Sequence, residues 1–147
     1  MFDILNKYKT NGHFFFKPTD SLDEVCNAPD DRDGVYVVYE LKKGRITLVY
    51  IGSSGEKIPG YAIKEGLLGL KTAIVSGTES EWKNQRRQTW PVKMLSENID
   101  ALDIYWWVTY NGNNYRGDHP EGLKRSLMRM HKAMFGEPPA WNKRWLK

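Results

Sequence analysis

The chain has 147 residues, of which 40% are hydrophobic, 27% charged and 13% aromatic, with six tryptophans; this is the composition of one soluble globular domain, rich in rings and long enough to build a modest core without staples. The single cysteine, Cys26, excludes an internal disulfide framework and a cysteine-cluster zinc site, and fits a reduced thiol in an intracellular protein. No apolar run reaches the length of a membrane span and the start lacks a signal-peptide pattern, so the expected setting is cytoplasmic with no membrane partner.

The net charge of +4 is unevenly spread. Residues 1–40 hold 4 basic and 8 acidic side chains, residues 41–102 hold 10 and 6, and residues 103–147 hold 8 and 4. An acidic head on a basic body points to a polyanion partner for the later two-thirds, although a basic surface is more often simply solvated.

In chain order, residues 1–12 read as a polar lead-in with at most one helical turn. His13 to Phe16 reads as an edge strand ended by Lys17-Pro18. Ser21 to Val25 reads as a short helix, with Ser21 and Glu24 at capping-box spacing. The loop Ala28 to Asp33 then delivers the chain into Gly34 to Gly52, GVYVVYELKKGRITLVYIG. Its two β-branched and aromatic runs around Lys42-Lys43-Gly44 predict a hairpin with a three-residue loop ending in glycine. Centred on Lys43, that hairpin sets Tyr36 opposite Tyr50, with both phenols on one face.

After the hairpin, a Gly/Pro-punctuated loop leads to a helix predicted from about Glu65 to Ser76, closed by Gly77. A basic stretch ends in Lys83-Asn84-Gln85-Arg86-Arg87. A second helix is predicted from Trp90-Pro91 to about Asn98, with the proline in its first turn. Leu102 to Tyr110 reads as a strand, on which Trp106 and Trp107 point to opposite faces. The last helix is predicted from Pro120 to Phe135, with Leu123, Leu127, Met130 and Met134 as its apolar stripe and Gly136 as its stop. The order implies an α/β (α+β) fold in a single domain, a three-stranded antiparallel sheet flanked by helices, with residues 1–33 as an N-terminal extension and 34–142 as the core. His13, His119 and His131 are scattered, which favours solvent or core roles over a metal triad.

The ends of the hairpin, Gly34-Val35-Tyr36 and Tyr50-Ile51-Gly52, resemble the signature of the GIY-YIG nuclease family, with valine for isoleucine in the first half. Trp90-Pro91-Val92-Lys93-Met94, Trp106-Trp107-Val108-Thr109 and Pro139-Ala140-Trp141-Asn142 are similar to a branch of small bacterial and restriction-type members, so the resemblance spans roughly Gly34 to Asn142. It implies a metal-dependent DNA endonuclease. Two tyrosines would handle the attacking water, a helix arginine the phosphate, a glutamate on the long helix one Mg²⁺ or Mn²⁺ ion, and a late asparagine would support the site. Double-stranded DNA is the partner it implies.

Tyr36, Tyr50 and Asn142 match that pattern, whereas Ala73 stands at the family's arginine position and Lys124 at its glutamate position. Lys71 is two residues from Ala73, about 200° around a helix. Glu121, one turn before Lys124, is the remaining candidate metal ligand. The sequence leaves three readings: a silent relative that still binds DNA, a disabled nuclease, or a shifted register in which Lys64, Lys71, Arg86 or Arg87 supplies the cation. With Lys83, Arg125 and Arg129 these basic residues are the candidate DNA contacts. The expected function is a DNA-binding endonuclease domain, impaired as written. The alternatives are a non-catalytic nucleic-acid-binding module on the same fold, and a small-ligand domain in which the tyrosines are core.

Overall fold

A computed structural model of the chain describes residues 2–54, 69–77, 85–110 and 119–142. A short 3-10 turn, Asp3–Lys7, precedes strand β1 (Asn11–Phe16) and helix α1 (Leu22–Val25). Strands β2 (Asp33–Lys42) and β3 (Arg45–Ser53) form the hairpin, followed by helices α2 (Leu70–Ser76) and α3 (Arg86–Ser96), strand β4 (Ala101–Tyr110) and helix α4 (Pro120–Phe135). The α+β class stands, but among the described residues the sheet has four antiparallel strands in the order β1-β4-β2-β3, one more than expected. The extra strand is β1, which pairs along β4 from Asn11 opposite Trp107 to Phe16 opposite Leu102. Its partner lies some ninety residues away, so local pattern shows the strand and not the pairing.

The hairpin also differs from expectation in a way that matters. Its turn has two residues, Lys43 and Gly44, both at positive φ (50° and 76°), the type I′ geometry whose twist suits flanking strands. Carried unbroken along the strands, that register sets Tyr36 against Ile51 and so turns Tyr50 to the other face of the sheet. A bulge reverses this: Tyr39 pairs with Leu48 but Val38 pairs with Tyr50, and Val49 is the extra residue. Val49 and Tyr50, neighbours in sequence, consequently both enter the core that holds Tyr36 and Val38, while Leu48 and Ile51 enter the opposite one with Val35 and Val37. Tyr36 and Tyr50 share a face through the bulge, and Tyr36 lies opposite Gly52.

Two cores result, one on each face of the sheet. On the tyrosine face, α2 and α3 bring Leu70, Ile74, Trp90 and Met94 against Phe16, Leu102, Ile104 and Trp106. On the other, α4 brings Leu127 and Met128, and the 3-10 turn brings Leu5, against Val35, Val37 and Ile51. Helix α4 has the predicted bounds, with Gly136 in the left-handed conformation as its cap. Helix α3 begins four residues earlier than predicted, because Gln85 and Gln88 form a reciprocal capping box. Pro91 therefore sits inside the helix, where it has no N–H to offer the Arg87 carbonyl. Only the part of the first predicted helix from Leu70 onward falls within the described residues, and Ser21 precedes α1 without a side-chain capping bond. Among the described residues no helix is long and apolar enough to cross a membrane.

Candidate functional site: a guanidinium between two phenols

Tyr36, on the inner strand β2, and Tyr50, on the edge strand β3, project from the sheet toward α2 and α3, their ring centroids 6.0 Å apart. Gly34 and Gly52, which flank them, are fixed by close packing. A Cβ at Gly34 would overlap the carbonyl of Trp107 on β4, and one at Gly52 would overlap the Tyr36 ring itself. Ser54 closes this end of the hairpin: its backbone N–H donates to the Gly34 carbonyl at 2.9 Å, and its Oγ accepts from the Gly34 N–H at 2.9 Å.

Arg86, the first residue of α3, fills the space between the phenols. Its Nη1 donates to the Tyr36 hydroxyl and, at 2.6 Å, to the carbonyl of Ala73 near the end of α2; its Nη2 donates to the Tyr50 hydroxyl at 2.9 Å. The guanidinium carbon stands 5.5, 5.0 and 5.6 Å from the ring centres of Tyr36, Tyr50 and Trp90. A buried cation is tolerated when hydrogen bonds and aromatic faces replace its water. The three residues are 1%, 4% and 5% exposed for Tyr36, Tyr50 and Arg86, so the cluster is closed to bulk solvent.

Burial pushes the Tyr36 phenol well above its ordinary range, outweighing the opposing charge of Arg86. Tyr36 is therefore a neutral phenol here and a poor base. Each hydroxyl accepts from Arg86, and because the two phenols also bond each other, one O–H is used within the pair and one is left to donate. The chemistry this favours is donation toward an anion by a phenol that the guanidinium polarises.

Asn142 is fully buried beside this cluster. Its Oδ1 accepts from the Ile51 N–H at 2.8 Å and its Nδ2 donates to the Ile51 carbonyl at 3.0 Å. β3 is an edge strand, and this side chain pairs both outward-facing groups of Ile51, next to Tyr50. The tail reaches that position by passing from α4 on one face to Trp141, which packs near Trp90 on the other.

The other candidate residues divide by location. Ala73 is a core residue whose carbonyl, and not its side chain, touches Arg86. Lys124, Glu121, Arg125 and Arg129 lie on α4, which packs on the opposite face of the sheet from the tyrosines. Glu121 faces Arg125 at 3.6 Å, and Arg129 reaches Ser126 at 3.4 Å. Lys71, on α2, has its ammonium 4.0 Å from Asp23, and Arg87 is exposed beside Arg86. Lys64 and Lys83 fall outside the described residues. Among the described residues no three His, Cys, Asp or Glu side chains converge, and the side chains that do meet at the tyrosines are a cation and two phenols; this donor set does not fit a divalent metal.

The bridging role of Arg86 is the feature that spacing alone did not single out, since it depends on how α3 docks across the end of α2. The signal available was the basic run ending at Arg87, just ahead of an apolar helix face. No protein-family model, curated protein or solved structure matches the chain.

Proposed function

We propose that the chain is a DNA-binding domain of the GIY-YIG nuclease type, in which Tyr36, Tyr50 and Arg86 form a centre directed at the phosphodiester backbone. The observation that carries this reading is the convergence of the two hairpin tyrosines on one guanidinium. A phosphate oxygen is the group that a phenol O–H polarised by a fixed positive charge complements best, and with the cluster closed to bulk solvent that contact requires the cover over the phenols to open. The basic residues after residue 40 supply the long-range attraction, and Arg87 is exposed next to Arg86 on α3.

Within that proposal the chain as it stands binds more readily than it cuts. A neutral, buried Tyr36 does not take a proton from water near neutral pH. Lys124 stands where the resemblance assigns a metal-holding carboxylate, and it lies across the sheet. A second reading, residual hydrolysis, is favoured by one feature: Arg86 supplies from α3 the cation that Ala73 on α2 lacks.

One experiment tests both. Short duplex DNA is titrated with the protein at low and moderate salt, and plasmid is incubated with the same protein with and without Mg²⁺ or Mn²⁺. Binding that weakens steeply with salt, with little or no cutting, is expected. Affinity that ignores salt removes the DNA reading, and efficient metal-dependent cutting replaces the binding module with an active nuclease.

A further inference from the structure

The face of the sheet opposite the tyrosine pair carries a second site. Beyond the area covered by α4, strands β4 and β2 present Tyr105, Trp107 and Tyr39, and these rings line a cavity of about 350 Å³ together with Asp103, Asp3 and Asn6. Tyr105 lies nearly parallel to Trp107, with 6.1 Å between centroids and 20° between planes, and Tyr39 meets Tyr105 edge-on at 5.6 Å. His13 stacks on the far side of Tyr105 at 4.6 Å, and its Nδ1 lies 2.8 Å from Asp103 Oδ1. The carboxylate is thus held against the aromatic row on a residue only 8% exposed.

We propose that this cavity binds a weakly hydrated organic cation, of the methylated-ammonium or guanidinium class. Aromatic faces attract such cations through their quadrupoles, and the attraction grows where water is displaced. Two carboxylates line the cavity and none of the described residues lining it is basic, so phosphates and carboxylate ligands are disfavoured. The charge of Asp103 acts on its surroundings: burial and then that charge push the Tyr105 phenol upward, and burial, then Tyr105, then Asp103 push the Tyr39 phenol upward, so both rings stay neutral and electron-rich. The acidic balance of residues 1–40 has the same sign. This site shares no residue with the Tyr36–Tyr50–Arg86 centre and does not depend on the reading proposed for it.

The test is a titration of the labelled protein with choline, trimethyl-lysine amide and arginine amide, following the Trp107 indole and Tyr105 amide resonances, with 3,3-dimethylbutan-1-ol as the uncharged copy of choline. Saturable shifts are expected at these resonances, with the neutral copy binding about tenfold more weakly than choline, and the tightest of the three cations identifies the head group. Asp103→Asn should lower the affinity about tenfold. Asp3→Asn, at an exposed position on the N-terminal turn, should weaken binding without touching the sheet and keeps the test open if Asp103→Asn does not fold. Absence of saturable shifts, equal binding of the neutral copy, or unchanged affinity in both carboxylate variants overturns the proposal.

Discussion

Gly52 lies directly opposite Tyr36, and the Tyr36 ring occupies the place where a Cβ on Gly52 would be. The glycine at the end of the hairpin is therefore the floor on which one phenol rests, and the phenol in turn receives Arg86. Gly52→Ala must displace either the ring or the strand. Overpacking of this kind costs about 1–3 kcal/mol. Chemical denaturation should show that loss, and the variant should also lose DNA affinity if Tyr36 is part of the contact surface. A fully stable Gly52→Ala protein would mean that the ring has another position to occupy.

Arg86→Met keeps most of the side-chain volume and removes the charge and every donor. Two phenols would then lose their shared partner inside a closed core, while the Ala73 carbonyl keeps the Gly77 N–H. A buried polar group left unpaired costs about 1–3 kcal/mol, so a drop of that size in unfolding free energy is expected. Arg86→Lys should recover little, because a single ammonium cannot reach three acceptors set around a planar fork. Ala73→Arg, which a family-pattern repair would suggest, should destabilise rather than rescue. Its side chain would enter the core beside a guanidinium already in place.

The hairpin and the last helix were legible because strand alternation, a Pro start and a Gly stop are local signals, whereas the expected pairing of Tyr36 with Tyr50 was wrong: Tyr36 lies opposite Gly52 and Tyr50 opposite Val38. Two things were hidden by their physics. Parity along the hairpin depends on both the turn length and the Val49 bulge, and the two departures cancel. The expected shared face is present through a different register. Which of the candidate cations Lys64, Lys71, Arg86 and Arg87 meets the phenols was hidden, because Arg86 reaches the tyrosines only when α3 crosses the end of α2, a tertiary fact with no period in the sequence. The position of α4 on the far face, which separates Lys124 and Glu121 from the tyrosines, is likewise set by which β-sheet face its apolar stripe covers.

Alkaline pH should unfold the protein in a characteristic way. The Tyr36 phenol is held above its ordinary pKa of about 10 by burial. The folded chain keeps that proton when the unfolded chain releases it, so stability is full below pH ~10 and falls as pH rises past it. The slope is up to about 1.4 kcal/mol per pH unit for one fully buried phenol. Denaturation midpoints measured from neutral to strongly alkaline pH should show this decline, and Tyr36→Phe should flatten it. An unchanged slope in Tyr36→Phe would assign the decline to other groups.

Asn142 closes an edge strand with one side chain. Asn142→Ala leaves the Ile51 N–H and carbonyl without their partners, at a cost of about 1–3 kcal/mol if they stay buried. Hydrogen exchange at the Ile51 amide should accelerate far more than at Val37, its partner on β2. Asn142→Asp should be worse than Asn142→Ala, since a carboxylate would then face the Ile51 carbonyl. Equal exchange at Ile51 in the parent and Asn142→Ala proteins would show that the tail does not protect this edge.

The two faces of the sheet make different predictions for DNA. If duplex docks on the tyrosine face, Arg87 on α3 lies on the contacting side, whereas Arg125 and Arg129 on α4 lie behind the sheet. Each phosphate contact contributes close to one unit to the slope of log affinity against log salt. Arg87→Ala should therefore weaken binding at every DNA sequence and lower that slope by about one. Arg125→Ala with Arg129→Ala should leave the slope unchanged, because those side chains would meet only the diffuse ion atmosphere. The α4 pair also serves as a control for net charge, since it removes two positive charges where Arg87→Ala removes one. If the α4 variant loses more slope than the Arg87 variant, the duplex lies across α4. The Tyr36–Tyr50–Arg86 cluster would then be a buried structural device rather than a phosphate-directed centre.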